Sequence, residues 1–114
     1  MTEEGASDPR FLRGVEEFDG GLWFEAHETW EDQWRGLKGD DRLFVQALIQ
    51  AAAALHHARR GNAVGAATLR EAALAKLSLL PAVRWGIDLE RFAAAFARHL
   101  ADPASPSGPP PRLR

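Results

Sequence analysis

The sequence predicts an all-α protein, a small irregular array of about five helices with a central apolar helix and a tight helix hairpin. Apolar residues recur at helical spacing through the middle of the 114-residue chain, and no segment has the alternating, β-branched pattern of a strand. Glycine, proline and helix-capping residues interrupt these repeats where helices are expected to end. Because 46% of the residues are hydrophobic, the chain has material for one domain with a modest core.

The first helix is predicted over residues 9–19. Pro9 opens it, because proline is tolerated in the first turn of a helix. Its apolar face consists of residues at helical spacing, namely Phe11, Val15 and Phe18. The pair Gly20-Gly21 ends the helix, because glycine favours turns over helix interiors.

The second helix follows this glycine pair and is predicted to end near Gly36. It sets a histidine and acidic residues among large aromatic side chains. At about 100° per residue, one stripe roughly 60° wide holds Trp23, His27, Trp30 and Trp34. Glu31 lies one turn after His27, on the flank of this stripe. The sequence therefore predicts that a functional site, if the chain has one, lies on the second helix.

The third helix, predicted over residues 41–60, is expected at the centre of the fold. Its many alanines leave little polar surface on any side, which implies neighbours in several directions. Gly61 and Asn62 then provide a helix stop followed directly by an N-cap, so the third and fourth helices form the tight hairpin. The fourth helix is predicted to run to about Leu80, because Pro81 stops it.

The fifth helix is predicted to begin after Asp88, a residue suited to the N-cap position. Its inner face consists of Leu89, Phe92, Phe96 and Leu100. We therefore expect a single helical domain over residues 9–101. Residues 1–8 and the Pro-, Ser- and Gly-rich residues 102–114 are expected to be disordered, because they carry too little apolar surface to offset the entropy of ordering.

Composition and charge exclude several classes of function. The chain has no cysteine, so disulfides, iron–sulfur clusters and thiolate zinc sites are excluded. Its formal net charge is −2 and its basic residues are scattered, which is a poor surface for nucleic acid. No stretch approaches the roughly 18 apolar residues of a membrane span, and no apolar segment follows the N-terminus. We expect a cytoplasmic protein that binds neither nucleic acid nor membrane.

His27, Glu28 and Glu31 form a His-Glu-x-x-Glu string, which differs from the zinc-protease His-Glu-x-x-His pattern in its last residue. A carboxylate one turn after the histidine favours either a mixed nitrogen and oxygen metal site or a simple His–Glu pair. Gln50 and His56 on the third helix are the candidates to complete such a site. Because two histidines and two carboxylates can bind a divalent transition metal, the candidate metal ligands are His27, Glu31 and His56.

A structural role competes with the metal hypothesis. Histidine among tryptophans is more often a satisfied core residue, hydrogen-bonded to a carboxylate such as Glu31 or to Gln50. Two functional hypotheses follow. The first, slightly favoured, is a non-enzymatic interaction or scaffold module whose polar cluster fixes helix register. The second is a metal- or small-molecule-binding protein, including a metal-dependent hydrolase in which Glu28 serves as base. The partner is then an unidentified protein or small molecule, and an exposed tryptophan face would allow a homodimer.

Two runs of sequence, residues 18–35 and 48–66, resemble the bacterial and archaeal family known as domain of unknown function 309. The first run contains Phe-Glu-Ala-His-Glu, and the second contains the His56-His57 pair followed by Gly61-Asn62. The resemblance covers about residues 11–80. It implies a small all-helical fold in which the Phe-Glu-Ala-His-Glu helix packs against the helix bearing the histidine pair. It also implies a polar site formed by His27, Glu28, Glu31, Gln50 and His56, and it implies no activity.

Overall fold

The computed structural model describes residues 4–114 and has the predicted all-α architecture. Its described part contains five α-helices, which are α1 (Pro9–Asp19), α2 (Trp23–Trp34), α3 (Gly39–Arg59), α4 (Ala63–Leu77) and α5 (Leu89–His99). A 3-10 helix (Glu4–Ser7) precedes α1, and the short strands β1 (Val83–Arg84) and β2 (Ile87–Asp88) separate α4 from α5. Within residues 4–114, none of the helices combines the length and the apolarity that crossing a membrane requires.

Side-chain caps fix the starts of helices where the sequence predicts them. Asn62 Oδ1 accepts the backbone N–H of Gly65 at 3.0 Å at the start of α4. Asp88 Oδ1 accepts the backbone N–H of Arg91 at 2.9 Å at the start of α5. Each cap satisfies one of the backbone donors that a helix N-terminus leaves unpaired. The predicted capping roles of Asn62 and Asp88 are thus confirmed.

The helix α3 lies at the centre of the fold, as its apolar composition predicts. It packs against α2 on one side and against α4 on another, while α1 packs against α2. The largest fully buried side chains come from four helices and include Phe11, Phe18, Trp30, Phe44, Phe92 and Phe96. The core therefore joins α1, α2, α3 and α5, and α4 covers α3 through the tight hairpin.

A two-stranded antiparallel hairpin lies between α4 and α5 and was not predicted. Its turn residues, Trp85 and Gly86, both have positive φ angles, of 50° and 78°, as a two-residue hairpin turn favours. The turn buries the Trp85 ring, which meets Phe11 and Phe44 edge-on at centroid distances of 5.1 Å. Strands of two residues are too short to show an alternating pattern, and the α4 helix correspondingly ends before its predicted limit.

The terminal segments differ from the expected disorder. Residues 1–3 lie outside the described residues, but the carbonyl oxygen of Gly5 accepts a hydrogen bond from the Gln33 side chain at 3.2 Å. In the C-terminal segment, which we define as residues 102–114, Leu113 is 2% exposed and belongs to the core. The Asp19 carboxylate accepts the backbone N–H groups of Leu113 and Arg114 at 2.7 and 3.0 Å. One anchoring leucine and one well-placed carboxylate order this segment, and its average composition does not reveal them.

Candidate functional site

The aromatic stripe of α2 is divided between the core and the surface. Trp23 and Trp30 are buried, and the Trp30 indole N–H donates to the Phe11 carbonyl at 3.3 Å. Trp34 is half-buried, with the Arg42 guanidinium 3.8 Å from its ring centroid. The histidine of the stripe lies at the border between these environments.

His27 and Glu31 approach each other as the sequence predicts, but their contact is loose. His27 Nε2 lies 4.0 Å from Glu31 Oε2, with 28% of the His27 side chain and 41% of the Glu31 side chain exposed. Glu31 also lies 3.8 Å from the Arg35 guanidinium. Because solvent screens such pairs, they contribute at most about 1 kcal/mol. The contact between His27 and Glu31 therefore contributes little to the stability of α2.

Phe24 brings the two candidate histidines into one cluster. Its ring centroid lies 5.9 Å from the His27 ring and 5.2 Å from the His56 ring, although 45% of the residue remains exposed. The start of α2 and the end of α3 therefore meet at Phe24. We call Phe24, His27 and His56 the aromatic–histidine patch.

The electrostatic environment of His56, on the α3 side of the patch, is positive. Burial lowers the pKa of His56 below its usual value of 6.5, and nearby positive or protonatable groups lower it further. These groups are Arg60, His57, Arg59 and His27. Three residues of the last turn of α3, together with its C-cap Arg60, thus give this end of the helix a basic character.

Arg59 and Asn62 hold this basic end of α3 in place. The Arg59 guanidinium donates to the Gly21 carbonyl at 2.7 Å and lies 4.1 Å from the Trp23 ring centroid. The Asn62 side-chain amide lies 3.1 Å from Nδ1 of His57. Both contacts connect neighbouring elements, so the patch is set on a fixed helix crossing.

The other two predicted site residues are not drawn into the patch. Glu28 is exposed, and Gln50 is half-buried with its Oε1 atom shielded from solvent. Within residues 4–114, Oε1 of Gln50 has no hydrogen-bond partner and Glu28 forms no ion pair. The structure therefore joins His27 and His56 around the Phe24 ring, with Glu31 approaching His27 alone, and it does not bring Glu28 or Gln50 into this cluster.

In the described part of the chain, no three His, Asp or Glu side chains are grouped so that they could hold a metal ion. The candidate metal ligands His27, Glu31 and His56 do not form such a group, although both histidine rings pack on Phe24. Sequence analysis did not assign Phe24 to the site. The available signal was its position three residues before His27, which places the two side chains on one side of a helix.

The family model described as "Domain of unknown function (DUF309)" matches residues 11–69, which is more than half of the chain. No protein with a curated description matches this sequence. The matched range includes the whole aromatic–histidine patch, whereas the β-hairpin, α5 and the C-terminal segment lie beyond it. The resemblance noted in the sequence is therefore confirmed, and the chain belongs to the family of domain of unknown function 309.

Proposed function

We propose that this chain is a non-enzymatic interaction module whose aromatic–histidine patch binds an acidic, partly apolar segment of a protein partner. The observation that carries the proposal is Phe24, a large aromatic side chain that is 45% exposed while it packs on two histidine rings. Exposed aromatic residues on a rigid scaffold are characteristic anchors of protein interfaces, because they bury a large area at a small entropy cost.

The charge around the patch favours an acidic partner. His56 lies near Arg59, Arg60 and two further histidines, and this surrounding charge opposes its protonation. Carboxylates of a partner would offset that charge, so binding would favour the protonated form of His56. By linkage, the affinity for an acidic segment is expected to rise as the pH falls.

The alternative hypotheses draw less support from the side chains. A scaffold in which the His/Glu cluster fixes helix register would need a stronger contact than the exposed 4.0 Å approach of His27 to Glu31. Binding of a metal or small molecule, or hydrolysis assisted by a metal, would need converging ligands. Among the residues described, no group of three His, Asp or Glu side chains could hold a metal ion, and no small-molecule ligand is assigned to the aromatic–histidine patch.

The proposal is tested with a synthetic peptide in which one phenylalanine is flanked by aspartate and glutamate. Its binding to the isotope-labelled full chain is followed by amide chemical shifts in NMR spectra. We expect shifts around Phe24, His27 and His56, and no shifts with a matched peptide that carries lysine at the acidic positions. The Phe24→Ala variant should bind the acidic peptide about thirtyfold more weakly, the usual loss for an interface anchor of about 2 kcal/mol.

Leu79→Ala is the matched control, because Leu79 is also a large exposed apolar residue and lies outside the patch. This variant should bind like the wild type. Equal weakening by both substitutions, or equal binding of the lysine peptide, would contradict the proposal. Concentration-dependent shifts at the patch without any peptide would assign it to a homodimer and would also contradict the proposal.

A further inference from the structure

The C-terminal segment and α5 enclose a cavity of about 270 Å³. The part of the C-terminal segment that lines the cavity, residues 107–112, is held on both sides. The Ser107 carbonyl lies 2.9 Å from Nδ1 of His99, and the Ser107 N–H donates to the His99 carbonyl at 3.1 Å. At the other end, Leu113 is buried in the core and its N–H donates to Asp19. The wall of the cavity that the C-terminal segment forms is therefore fixed against α5.

Three arginines line this cavity, and none of the acidic side chains of residues 4–114 does. Arg91 and Arg98 come from the same face of α5, two turns apart, and Arg112 comes from the C-terminal segment. Within residues 4–114, the guanidinium groups of Arg91 and Arg98 have no ion-pair or hydrogen-bond partner. Arg112 donates to the Asp19 carbonyl at 3.1 Å and forms an ion pair with the Asp19 carboxylate at 3.9 Å, so its charge is partly compensated. The two unpaired guanidinium groups of Arg91 and Arg98 favour an anion in this cavity, because an anion lowers their mutual repulsion.

His99 adds a buried polar group to the same cavity. Only 9% of this residue is exposed, and it lines the cavity together with the arginines. A carbonyl oxygen can only accept a hydrogen bond, so Nδ1 of His99 carries the proton that is donated to Ser107. In the part of the chain that the structure describes, Nε2 of His99 makes no hydrogen bond. In the neutral ring this atom accepts a hydrogen bond from a ligand hydroxyl, and it donates to an anion only when the ring is protonated.

We infer that this cavity binds the phosphoryl group of a small organic phosphate. Arginine guanidinium groups match the geometry of phosphate oxygens and form paired, charge-assisted hydrogen bonds with them. The remaining walls are largely apolar and consist of Ala95, Ser107, Gly108 and the prolines 109–111. Such walls favour a ligand with a small organic group over inorganic phosphate. The cavity lies outside the range of the family match and is independent of the aromatic–histidine patch.

The inference is tested by calorimetric titration of the full chain with phenyl phosphate and with inorganic phosphate at constant ionic strength. We expect phenyl phosphate to bind more tightly than inorganic phosphate. Arg98→Ala and Arg91→Ala should each weaken binding of phenyl phosphate about tenfold or more, because each removes a charge-assisted hydrogen-bonding partner. Both side chains are on the surface of α5, so circular dichroism should show an unchanged fold.

Arg13→Ala is the matched control, because it removes the same charge from a side chain that is 74% exposed and distant in sequence from the cavity. This variant should bind phenyl phosphate like the wild type. The inference is wrong if Arg13→Ala weakens binding as much as Arg98→Ala, since the attraction would then be nonspecific. Equal affinity for the two anions would contradict a site for organic phosphates, and no binding of either would overturn the inference entirely.

Discussion

Trp23 and Phe24 are neighbours in the chain but occupy opposite environments. A helix turns by about 100° from one residue to the next, so Trp23 enters the core while Phe24 faces the histidines. The Trp23 ring is covered by the Arg59 guanidinium, and the Phe24 ring is left partly open to solvent. A single helical step thus separates a residue that holds α2 in place from one that belongs to the proposed binding surface.

We expect the protonation of a single residue, His56, to make the free energy of unfolding depend on pH. Its pKa is lowered in the folded protein, first by burial and then by Arg60, His57, Arg59 and His27. Below pH 6.5, its usual value, the unfolded chain therefore takes up this proton more readily than the folded one. As the pH falls from above 6.5 to below the lowered pKa of His56 in the folded protein, the free energy of unfolding should decrease. Below that lowered pKa, His56 is protonated in both states and causes no further decrease.

This dependence is measured by urea denaturation of the wild type and of His56→Gln, at several values between about pH 7.5 and about pH 5. The variant lacks the titrating group, so its free energy of unfolding should fall less over this interval. The effect should be small, because His56 is only half-buried. Identical pH profiles for the two proteins would show that His56 does not couple folding to protonation.

At the scale of elements, the crossing of α2 and α3 creates the candidate site. Two contacts mark this crossing, the packing of Phe24 on His56 and the hydrogen bond from Arg59 to Gly21. The resemblance implied that the Phe-Glu-Ala-His-Glu helix packs on the helix bearing the histidine pair, and this arrangement is confirmed. Both helices are held by core residues rather than by the polar cluster, which leaves the patch free to contact a partner.

The hairpin between α4 and α5 provides a second prediction, at Gly86. Its φ angle is +78°, and nothing lies within 4 Å of the position that a Cβ atom would take. Gly86→Ala should therefore lower the free energy of unfolding through backbone strain alone, by about 1 kcal/mol. Urea denaturation measures this loss. Gly36→Ala is the control, because the Gly36 φ angle is not positive and its nearest neighbour would lie 3.9 Å away; an equal loss there would contradict the assigned strain.

Local sequence signals made most of the helices predictable. Features that depend on contacts between distant residues could not be predicted. Asn62 and Asp88 could be identified as caps because capping depends on residues only a few positions apart. The Trp85 turn could not be predicted, because its stability comes from distant phenylalanines rather than from a strand pattern. The site was predicted in part. His27 and His56 were identified by residue type, but their meeting at Phe24 depends on the angle at which α3 crosses α2.

At the scale of the whole molecule, the C-terminal segment ties the two ends of the fold together. It reaches α1 through Asp19, α5 through His99 and the core through Leu113. These contacts connect the part of the chain that matches the family with the part that follows it. The C-terminal segment also forms one wall of the arginine-lined cavity. The proposed phosphate site therefore depends on the same contacts, at Asp19, His99 and Leu113, that order this segment.

Leu113 is the residue through which this segment should contribute most to stability. Its side chain is almost completely buried, so Leu113→Ala removes apolar contacts and leaves a cavity that the fold can only partly close. The free energy of unfolding should fall by about 2–5 kcal/mol. Leu79→Ala removes the same atoms from a leucine that is 74% exposed, and should change stability by no more than about 0.5 kcal/mol. Chemical denaturation of both variants decides between an ordered and a disordered segment, because a disordered segment would make the two losses equally small.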